Sequence, residues 1–370
     1  MKIGIDGRFW NETGVGRYIR NLVENLQKID DKNEYVLFIL TKDFESVSQQ
    51  ITGKNFHFIK TSIHWHSLQE QLEFPKVLEK ESLDLMHFSY FSIPISYHRP
   101  YIVTIHDLIL HHFATGEATT LPQPLYFAKL QAYKYIIKKA ARNATKIIAV
   151  SQATKKEITD HLGVAPEKIT VTYEGVDQLV EQRAKTNGEN KYGNYFLHIG
   201  NVYPHKNAKR LIDAFQIANL PKTKLVFAGK RDYFMTRLEE YVKERQVQDS
   251  VLFLGFVSDS ELAVLYEKAL ATVVPSLMEG FGLPVLEAMA NSCLVLASDI
   301  PSLREVAGES ALFTAPLDTK SLAKSLQLIV TSPKEQFNHL LKSGKERTKE
   351  FTWEKMARET LTLYESSFSL

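Results

Sequence analysis

The chain has 370 residues, of which 44% are hydrophobic and 24% are charged, and its formal net charge is +2. This length predicts two domains, because a single core seldom extends beyond about 250–300 residues. The composition is that of a globular protein, and the weak net charge argues against a nucleic-acid partner. The one cysteine, Cys293, excludes an internal disulfide and a cysteine-based zinc site.

The N-terminal sequence MKIGIDGRF contains no long apolar segment, so we expect no signal peptide. No stretch of the sequence approaches the ~20 apolar residues of a membrane-spanning helix. From these two features we predict a cytoplasmic location.

The first half of the chain alternates short apolar runs with stretches of helical spacing. The runs are Lys2–Ile5, Tyr35–Leu40, Phe56–Lys60, Leu85–Phe88, Tyr101–Ile105, Lys146–Val150 and Ile169–Tyr173. Such alternation predicts a parallel sheet with helices on both faces. We therefore expect a Rossmann-like α/β domain over residues 1–178.

A glycine-containing loop, Thr13–Gly16, follows the first strand and precedes a helix with one apolar stripe. Gly14 and Gly16 invite comparison with the dinucleotide-binding fingerprint. The third glycine of that fingerprint is replaced by Ile19, and the loop begins late after the strand. By itself the loop is a weak indication of phosphate binding.

His106 and Asp107 directly follow the strand Tyr101–Ile105. Ligands of open α/β sheets bind beyond the carboxyl ends of strands, so His106 lies where a ligand is expected. A histidine at a strand end is also often a satisfied structural group, and the residues alone leave both interpretations open. Asp107 is expected to orient a neighbour or to cap the next turn.

The second half of the chain repeats the alternation after a polar stretch, 179–194, that we predict to be a linker. Its apolar runs are Tyr195–Gly200, Lys224–Gly229, Val251–Gly255, Ala271–Val274, Leu294–Ser298 and Ala311–Ala315. These predict a second parallel-sheet domain over residues 195–351. The last segment, 352–370, has one apolar face and predicts a terminal helix.

Two capping boxes are predicted from Ser/Thr followed three residues later by glutamate. One pairs Thr154 with Glu157, in the helix that Ser151 opens. The other pairs Ser258 with Glu261.

The most informative stretch is Pro275–Ala290, with the sequence PSLMEGFGLPVLEAMA. Gly280 and Gly282 let the backbone approach a ligand closely, and the helix start behind them forms an anion site. Glu279 and Glu287 flank this site and can accept hydrogen bonds from hydroxyls. Amides for phosphate and carboxylates for hydroxyls together fit a sugar nucleotide. The alternative is an ordinary tight turn with a glutamate near a helix N-terminus.

This stretch resembles the signature of family 4 retaining glycosyltransferases, which have the GT-B fold of two facing Rossmann-like domains. The resemblance covers nearly the whole chain. It implies that residues 1–178 form the acceptor-side domain and residues 195–351 the nucleotide-sugar donor domain, and that the terminal helix, 352–370, crosses back to the N-terminal domain. Ile5–Arg8 together with Thr13–Tyr18 is most similar to the mannosyltransferase branch. The sequence departs from the usual Gly-Thr-Pro stretch at Ser292–Leu294.

The resemblance implies roles for individual residues near the transferred sugar. Glu279 is expected to contact the donor sugar's hydroxyls, with Gly280 and Phe281 beside it. His106 is expected near the anomeric carbon, which favours a functional role for it. Glu279 and His106 are therefore the predicted catalytic residues.

The remaining donor contacts are also implied by the resemblance. The diphosphate is expected at Gly14, Gly16, Lys206, Gly282 and Leu283. Lys206 carries more of the charge compensation, because Asn201 and His205 stand where arginine is frequent. Glu287 is expected to bind the ribose, and Phe256 and Val257 to lie near the nucleobase.

The activity implied by the resemblance is retaining transfer of a hexose from a nucleoside diphosphate sugar to the hydroxyl of a glycan or lipid-linked acceptor. GDP-mannose is the first expectation for the donor. No Asp-x-Asp sequence ends a strand to hold Mg²⁺, and Lys206 with two helix N-termini can offset the leaving diphosphate's charge, so we predict no metal and no cofactor. The alternatives are a non-catalytic sugar-nucleotide binding protein, a GT-B nucleotide-sugar epimerase and an extracytoplasmic solute receptor. The missing signal peptide counts against the last.

Residues 118–156 contain no acidic residue but eight lysines and arginines. A helix over 125–146 would place Lys134, Lys138 and Arg142 together on one face and an apolar stripe on another. This pattern is typical of an ordinary surface helix packed on the sheet. It also fits peripheral contact with an anionic membrane at its inner face. Both interpretations stay open.

Overall fold

The computed structural model describes residues 1–114, 116–117, 119, 121–176 and 190–368. The chain divides into two compact units. The described residues of the first unit lie within 1–111, 121–175 and 352–370, and those of the second within 112–120 and 176–351. Most of the predicted linker, residues 179–189, lies outside the described residues, and Asn194 already opens a strand.

The first unit is built on a seven-stranded sheet with the order β3-β2-β1-β4-β5-β6-β7, in which all neighbouring strands are parallel. Its strands are β1 (Lys2–Asp6), β2 (Glu34–Leu40), β3 (Phe56–Thr61), β4 (Leu85–Phe88), β5 (Tyr101–Ile105), β6 (Lys146–Ala149) and β7 (Ile169–Val171). All seven predicted runs are strands, so the predicted fold of this half is confirmed. Both faces are covered by helices, which explains why Tyr35–Leu40 is apolar without alternation.

Helices follow most strands of the first unit. They are α1 (Gly14–Ile29), α2 (Phe44–Gln50), α3 (Leu68–Leu72), α4 (Phe74–Lys80), α5 (Ile109–His112), α6 (Gln123–Asn143) and α7 (Gln152–Leu162). The α5 helix ends at the boundary with the second unit.

The second unit has a six-stranded parallel sheet with the order β10-β9-β8-β11-β12-β13. Its strands are β8 (Asn194–Ile199), β9 (Thr223–Ala228), β10 (Val251–Gly255), β11 (Ala271–Val274), β12 (Val295–Ser298) and β13 (Leu312–Thr314). Its helices are α8 (Ala208–Ala218), α9 (Tyr233–Glu244), α10 (Asp259–Lys268), α11 (Leu283–Ala290), α12 (Pro301–Ala307), α13 (Thr319–Thr331) and α14 (Asn338–Thr348).

The terminal helix, α15 (Trp353–Phe368), belongs to the first unit and packs on α1. Its Tyr364 hydroxyl lies 2.6 Å from Nδ1 of buried His87, whose Nε2 lies 2.8 Å from Thr104 Oγ1. Burial lowers the pKa of His87 to about 3, so the ring is neutral near pH 7. A Cβ at Gly175 would lie 2.2 Å from the Trp353 backbone nitrogen, so this contact requires glycine.

Both sheets reverse their strand order at one point, between β1 and β4 in the first and between β8 and β11 in the second. At such a reversal the connections diverge to opposite faces and leave a crevice at the carboxyl ends of the two strands. Ligand sites are therefore expected at the segments after β1, β4, β8 and β11.

The two predicted capping boxes differ in outcome. Ser258 and Glu261 form the expected reciprocal pair at α10. The Thr154–Glu157 prediction is wrong, because Ser151 already accepts from the Thr154 amide and is itself the N-cap of α7. The Thr154 hydroxyl instead donates to the His106 carbonyl at 3.2 Å.

Candidate active site

In the second unit, the segments after β8 and β11 meet where the strand order reverses. Lys206 ends a short 3₁₀ turn, and Glu279 lies in the loop before α11. The Lys206 Nζ lies 2.8 Å from each carboxylate oxygen of Glu279. The Ser276 hydroxyl donates to Glu279 Oε1 at 2.7 Å. The structure thus brings together two predicted donor residues that are 73 positions apart in sequence.

The Glu279 carboxylate is held ionised within this cluster. Burial alone would raise its pKa, but the Lys206 ammonium, together with the hydrogen bonds from Lys206 and Ser276, outweighs burial and lowers the pKa below its usual range. An ionised carboxylate accepts hydrogen bonds and donates none. The cluster is therefore suited to bind hydroxyl groups beside a cationic side chain.

The loop that follows Glu279 turns into α11 through Gly282. Its φ of 115° is in the region that favours glycine, and a Cβ there would lie 2.6 Å from Leu303 Cδ2. The Leu283 amide has no hydrogen-bond acceptor among the described residues, as expected at the first turn of a helix. Phe281 is buried and packs edge-to-face on Phe351, with ring centroids 5.7 Å apart. Because the Phe281 ring is packed in this way, its side chain is not exposed for contact with a donor.

Glu287 lies one turn into α11 and is buried. Its Oε2 accepts from the Tyr266 hydroxyl of α10 at 2.7 Å, which fixes the orientation of the carboxylate. Phe256 and Val257 follow β10 at the same carboxyl edge of this sheet, and Phe256 is 87% exposed. The exposed Phe256 ring is available for stacking on a nucleobase. However, β10 is the outer strand of the sheet and lies two strands away from β8, the strand that precedes Lys206.

In the first unit, His106 follows β5 and both of its ring nitrogens have acceptors nearby. Nε2 lies 3.1 Å from the Ser89 carbonyl, which can only accept, so Nε2 carries the hydrogen in this contact. Nδ1 lies 3.3 Å from the buried carboxylate of Glu174. The Tyr18 ring packs edge-to-face on the imidazole at 5.0 Å. The ring is therefore held on three sides.

Glu174 is a residue that sequence reasoning missed. It follows the predicted strand Ile169–Tyr173, and no role was assigned to it from the sequence. Glu174 is only 4% exposed. A carboxylate directly after the predicted strand Ile169–Tyr173 was the available signal, since buried acidic residues are usually paired. Asp107 behaves as expected, with Oδ1 accepting from the Ile109 amide at 2.9 Å.

The two glycines before α1 have different structural settings. A Cβ at Gly16 would lie 2.5 Å from the Trp10 carbonyl oxygen, so packing within the unit already requires glycine there. A Cβ at Gly14 would have nothing within 4 Å. Packing therefore explains the glycine at position 16 but not the one at position 14, where close approach of a ligand is the better explanation. The role of Gly14 and Gly16 in phosphate binding stays a prediction.

Two family descriptions match this sequence, and together they cover most of it. "Glycosyltransferase Family 4" matches residues 13–178, and "Glycosyl transferases group 1" matches residues 180–347. The chain belongs to the family 4 glycosyltransferases. The resemblance drawn from Pro275–Ala290 is thus confirmed, and the protein is a glycosyltransferase.

Relatives within the family carry mannosyltransferase names. The O-antigen chain mannosyltransferase RfbU of Salmonella typhimurium is 28% identical over 331 residues, covering 87% of this chain and 88% of the relative. The O-antigen chain mannosyltransferase B of Escherichia coli is 26% identical over 372 residues, covering 95% and 96%. These matches support the assignment of the glycosyltransferase to the mannosyltransferase branch.

Solved structures establish the GT-B fold of this glycosyltransferase. Sucrose-phosphate synthase from Thermosynechococcus elongatus superposes with a TM-score of 0.80 at 23% identity, covering 100% of this chain and 99% of that one. WaaG, a glycosyltransferase involved in lipopolysaccharide biosynthesis, gives a TM-score of 0.72 at 14% identity, with 97% and 98% covered. Among the described residues, no helix has the length and apolar character needed to cross a bilayer.

Proposed function

We propose that this glycosyltransferase moves mannose from GDP-mannose to a hydroxyl of a glycan or lipid-linked acceptor, with retention at the anomeric carbon and without a metal. The observation that carries the proposal is the Lys206–Glu279–Ser276 cluster beside the start of α11. It offers a cation and helix amides for a diphosphate and a carboxylate for sugar hydroxyls. The names of the O-antigen relatives support mannose as the sugar.

In this proposal the residues divide the work between binding and transfer. Glu279 accepts from the donor sugar's hydroxyls, and Lys206 with the amides at Gly282 and Leu283 offsets the charge that develops on the leaving diphosphate. Glu287, oriented by Tyr266, accepts from the ribose hydroxyls. His106 contacts the reacting sugar, and Glu174 orients the imidazole through Nδ1.

The ribose contact of Glu287 provides a direct test of the donor site. We expect Glu287→Ala to weaken GDP binding by about 10- to 100-fold, because a hydrogen bond to a charged group contributes roughly 1.5–3 kcal/mol. Isothermal titration calorimetry with GDP and UDP measures the affinity. The control is Glu309→Ala, whose side chain is 96% exposed in the same unit. Unchanged affinity of Glu287→Ala for both nucleotides would show that Glu287 does not contact the ribose.

Metal independence has its own test. Lys206 and the helix N-terminus supply positive charge to the diphosphate, so we expect mannose transfer to proceed at an unchanged rate in excess EDTA. Transfer is measured by release of GDP in the presence of acceptor. Loss of activity that added Mg²⁺ restores would contradict this part of the proposal.

We further propose that α6 contacts an anionic membrane at its inner face, which would bring the enzyme to a lipid-linked acceptor. On this helix Leu125, Phe127 and Tyr135 are 47%, 51% and 57% exposed. Lys138 and Arg142 are also exposed, while Tyr126, Tyr133 and Ile137 are buried. Each basic side chain near an anionic surface contributes about 1 kcal/mol, so binding should be reversible and salt-dependent.

Co-sedimentation with phosphatidylglycerol-containing vesicles tests the membrane contact. We expect binding at low salt, with most of it lost in the triple variant Lys134→Glu/Lys138→Glu/Arg142→Glu. The matched control reverses three exposed lysines of the second unit, Lys320→Glu/Lys324→Glu/Lys342→Glu, and should still bind. Equal binding to neutral and anionic vesicles would return α6 to the role of an ordinary surface helix.

A further inference from the structure

An aromatic cluster lies at the carboxyl edge of the first sheet, outside the donor site. Phe9 follows β1, Trp65 and His66 follow β3, and Tyr90 follows β4. The Phe9 and Trp65 rings are stacked with centroids 4.2 Å apart. The Tyr90 ring lies 4.8 Å from Phe9 and 5.9 Å from His66. Loops from three strands thus converge on one set of rings.

The cluster has a covered base and an accessible upper surface. Phe9 is buried, whereas Trp65 and Tyr90 are half-buried and His66 is exposed. The Tyr90 hydroxyl finds no hydrogen-bond partner among the described residues. The Tyr90 ring centroid also lies 6.3 Å from that of His106. The accessible rings therefore combine apolar faces with polar tips, next to the predicted catalytic histidine.

A buried ion network contacts the loops that carry these rings. The Arg8 guanidinium donates to both carboxylate oxygens of Asp6, at 2.9 and 2.7 Å, and to Glu70 at 2.7 Å. Arg8, Asp6 and Glu70 are at most 1% exposed. Desolvation makes such a network a poor source of stability compared with apolar packing. We therefore interpret the network as one that positions the surrounding loops.

The network ties the aromatic loops to one another. Glu70 Oε2 accepts from the His66 amide at 3.0 Å and from the Ser92 hydroxyl at 2.8 Å. The Ser92 Oγ also lies 3.2 Å from the His66 amide. Arg8 is the neighbour of Phe9 in sequence. The three loops that carry Phe9, Trp65 and Tyr90 are therefore anchored to one buried network.

We propose that Trp65 and Tyr90 form an acceptor subsite for a neutral hexose ring, held in shape by the Arg8 network. The inference rests on the proposed function, since it supplies the acceptor for that transfer. A pyranose has an apolar face that packs on aromatic rings and equatorial hydroxyls that reach the tips of Tyr90 and His66. Bound there, its hydroxyl groups lie beside His106, on the same unit. A nucleobase is another ligand that packs on aromatic rings, and it is tested separately below.

Tryptophan fluorescence gives a direct readout of this subsite in the full-length protein. Trp10 and Trp353 are only 2% and 5% exposed, so acrylamide quenching reports mainly on Trp65. The probes are methyl α-mannoside, methyl α-glucoside, octyl α-mannoside and GMP. We expect the methyl glycosides to protect Trp65 from quenching. Protection by GMP alone, by octyl α-mannoside alone, or by none of the four overturns the hexose subsite.

Steady-state transfer separates acceptor binding from the donor site. In Trp65→Ala we expect the KM for acceptor to rise by about 10-fold or more, with kcat and GDP affinity near wild type, because one stacking surface is lost. Trp65→Phe should recover most of the loss. Ser92→Ala, which frees one contact of the network, should raise the acceptor KM in the same direction. Tyr233→Ala, an exposed aromatic of the second unit, is the control.

The outcomes distinguish the subsite from the proposed transfer. An unchanged acceptor KM in Trp65→Ala, with transfer otherwise normal, overturns the subsite and leaves the proposed function intact. Glycoside protection of Trp65 in a protein that transfers no mannose supports the subsite and counts against the proposed function.

Discussion

Lys206→Met should weaken donor binding by about 10²- to 10³-fold and also destabilise the second unit. The variant removes the cation that forms a salt bridge with Glu279 among the described residues, and it leaves a largely buried carboxylate next to the proposed diphosphate position. Lost charge-assisted hydrogen bonds account for roughly 1.5–3 kcal/mol, and repulsion between the unpaired carboxylate and the diphosphate adds to this. Calorimetric titration with GDP-mannose measures the affinity.

The stability effect of Lys206→Met can be separated from the loss of donor binding. Removing one partner of a buried ion pair costs up to about 3–5 kcal/mol, and we expect less because the Lys206 side chain is 18% exposed. The double variant Lys206→Met/Glu279→Gln should regain stability, since no buried charge is left unpaired, but it should not regain donor affinity. Lys209→Met removes an exposed lysine from α8 and is the control for both measurements. Wild-type donor affinity in Lys206→Met would exclude Lys206 from the diphosphate site.

His106→Ala is expected to lower the transfer rate by at least about 10²-fold while GDP affinity stays near wild type. Loss of a positioned donor in a transition state typically costs 10²–10³-fold in rate. His106 lies in the first unit, whereas Lys206, Glu279 and Glu287 lie in the second, so the nucleotide contacts proposed for those three residues persist. Single-turnover transfer and GDP titration are measured on the same preparation.

Two further variants show whether the His106 effect arises from chemistry. His98→Ala removes an exposed histidine of the same unit and should transfer normally. Glu174→Gln keeps the shape of the Nδ1 partner but removes its charge, and it should lower the rate less than His106→Ala. If His106→Ala transfers at the wild-type rate, the imidazole is a structural group that fills the space between Ser89, Glu174 and Tyr18.

The departure from the usual pattern after α11 has a local structural solution. Ser292 adopts a φ of 55°, a conformation that favours glycine, and Cys293 is buried with Sγ 3.3 Å from Thr272 Oγ1. Burial raises the pKa of the Cys293 thiol to about 11, so it stays protonated near neutral pH. In the same structure Glu279 keeps its contacts with Lys206 and Ser276, and Glu287 keeps its contact with Tyr266.

The sequence by itself determined the two parallel sheets, because strands buried on both faces must be apolar throughout, and that pattern is readable in a single chain. It also determined the loop around Glu279, where the glycine positions and the helix start are contiguous. The strand ends in the structure differ from the predicted ends by one or two residues, as at β7 and β8. The reason is that hydrogen-bond pairing, and not hydrophobicity, determines where a strand ends.

Only the tertiary structure decided which side chains meet. Three pairs of side chains join residues that lie 73, 68 and 62 positions apart in the sequence. These pairs are Lys206 with Glu279, His106 with Glu174, and Arg8 with Glu70. Such pairs arise because parallel strands distant in sequence end at the same edge of a sheet, so their following loops converge. Local periodicity carries no information about that convergence. For the same reason sequence reasoning assigned no role to Glu174 or to the aromatic cluster, although each of their residues is plainly visible in the chain.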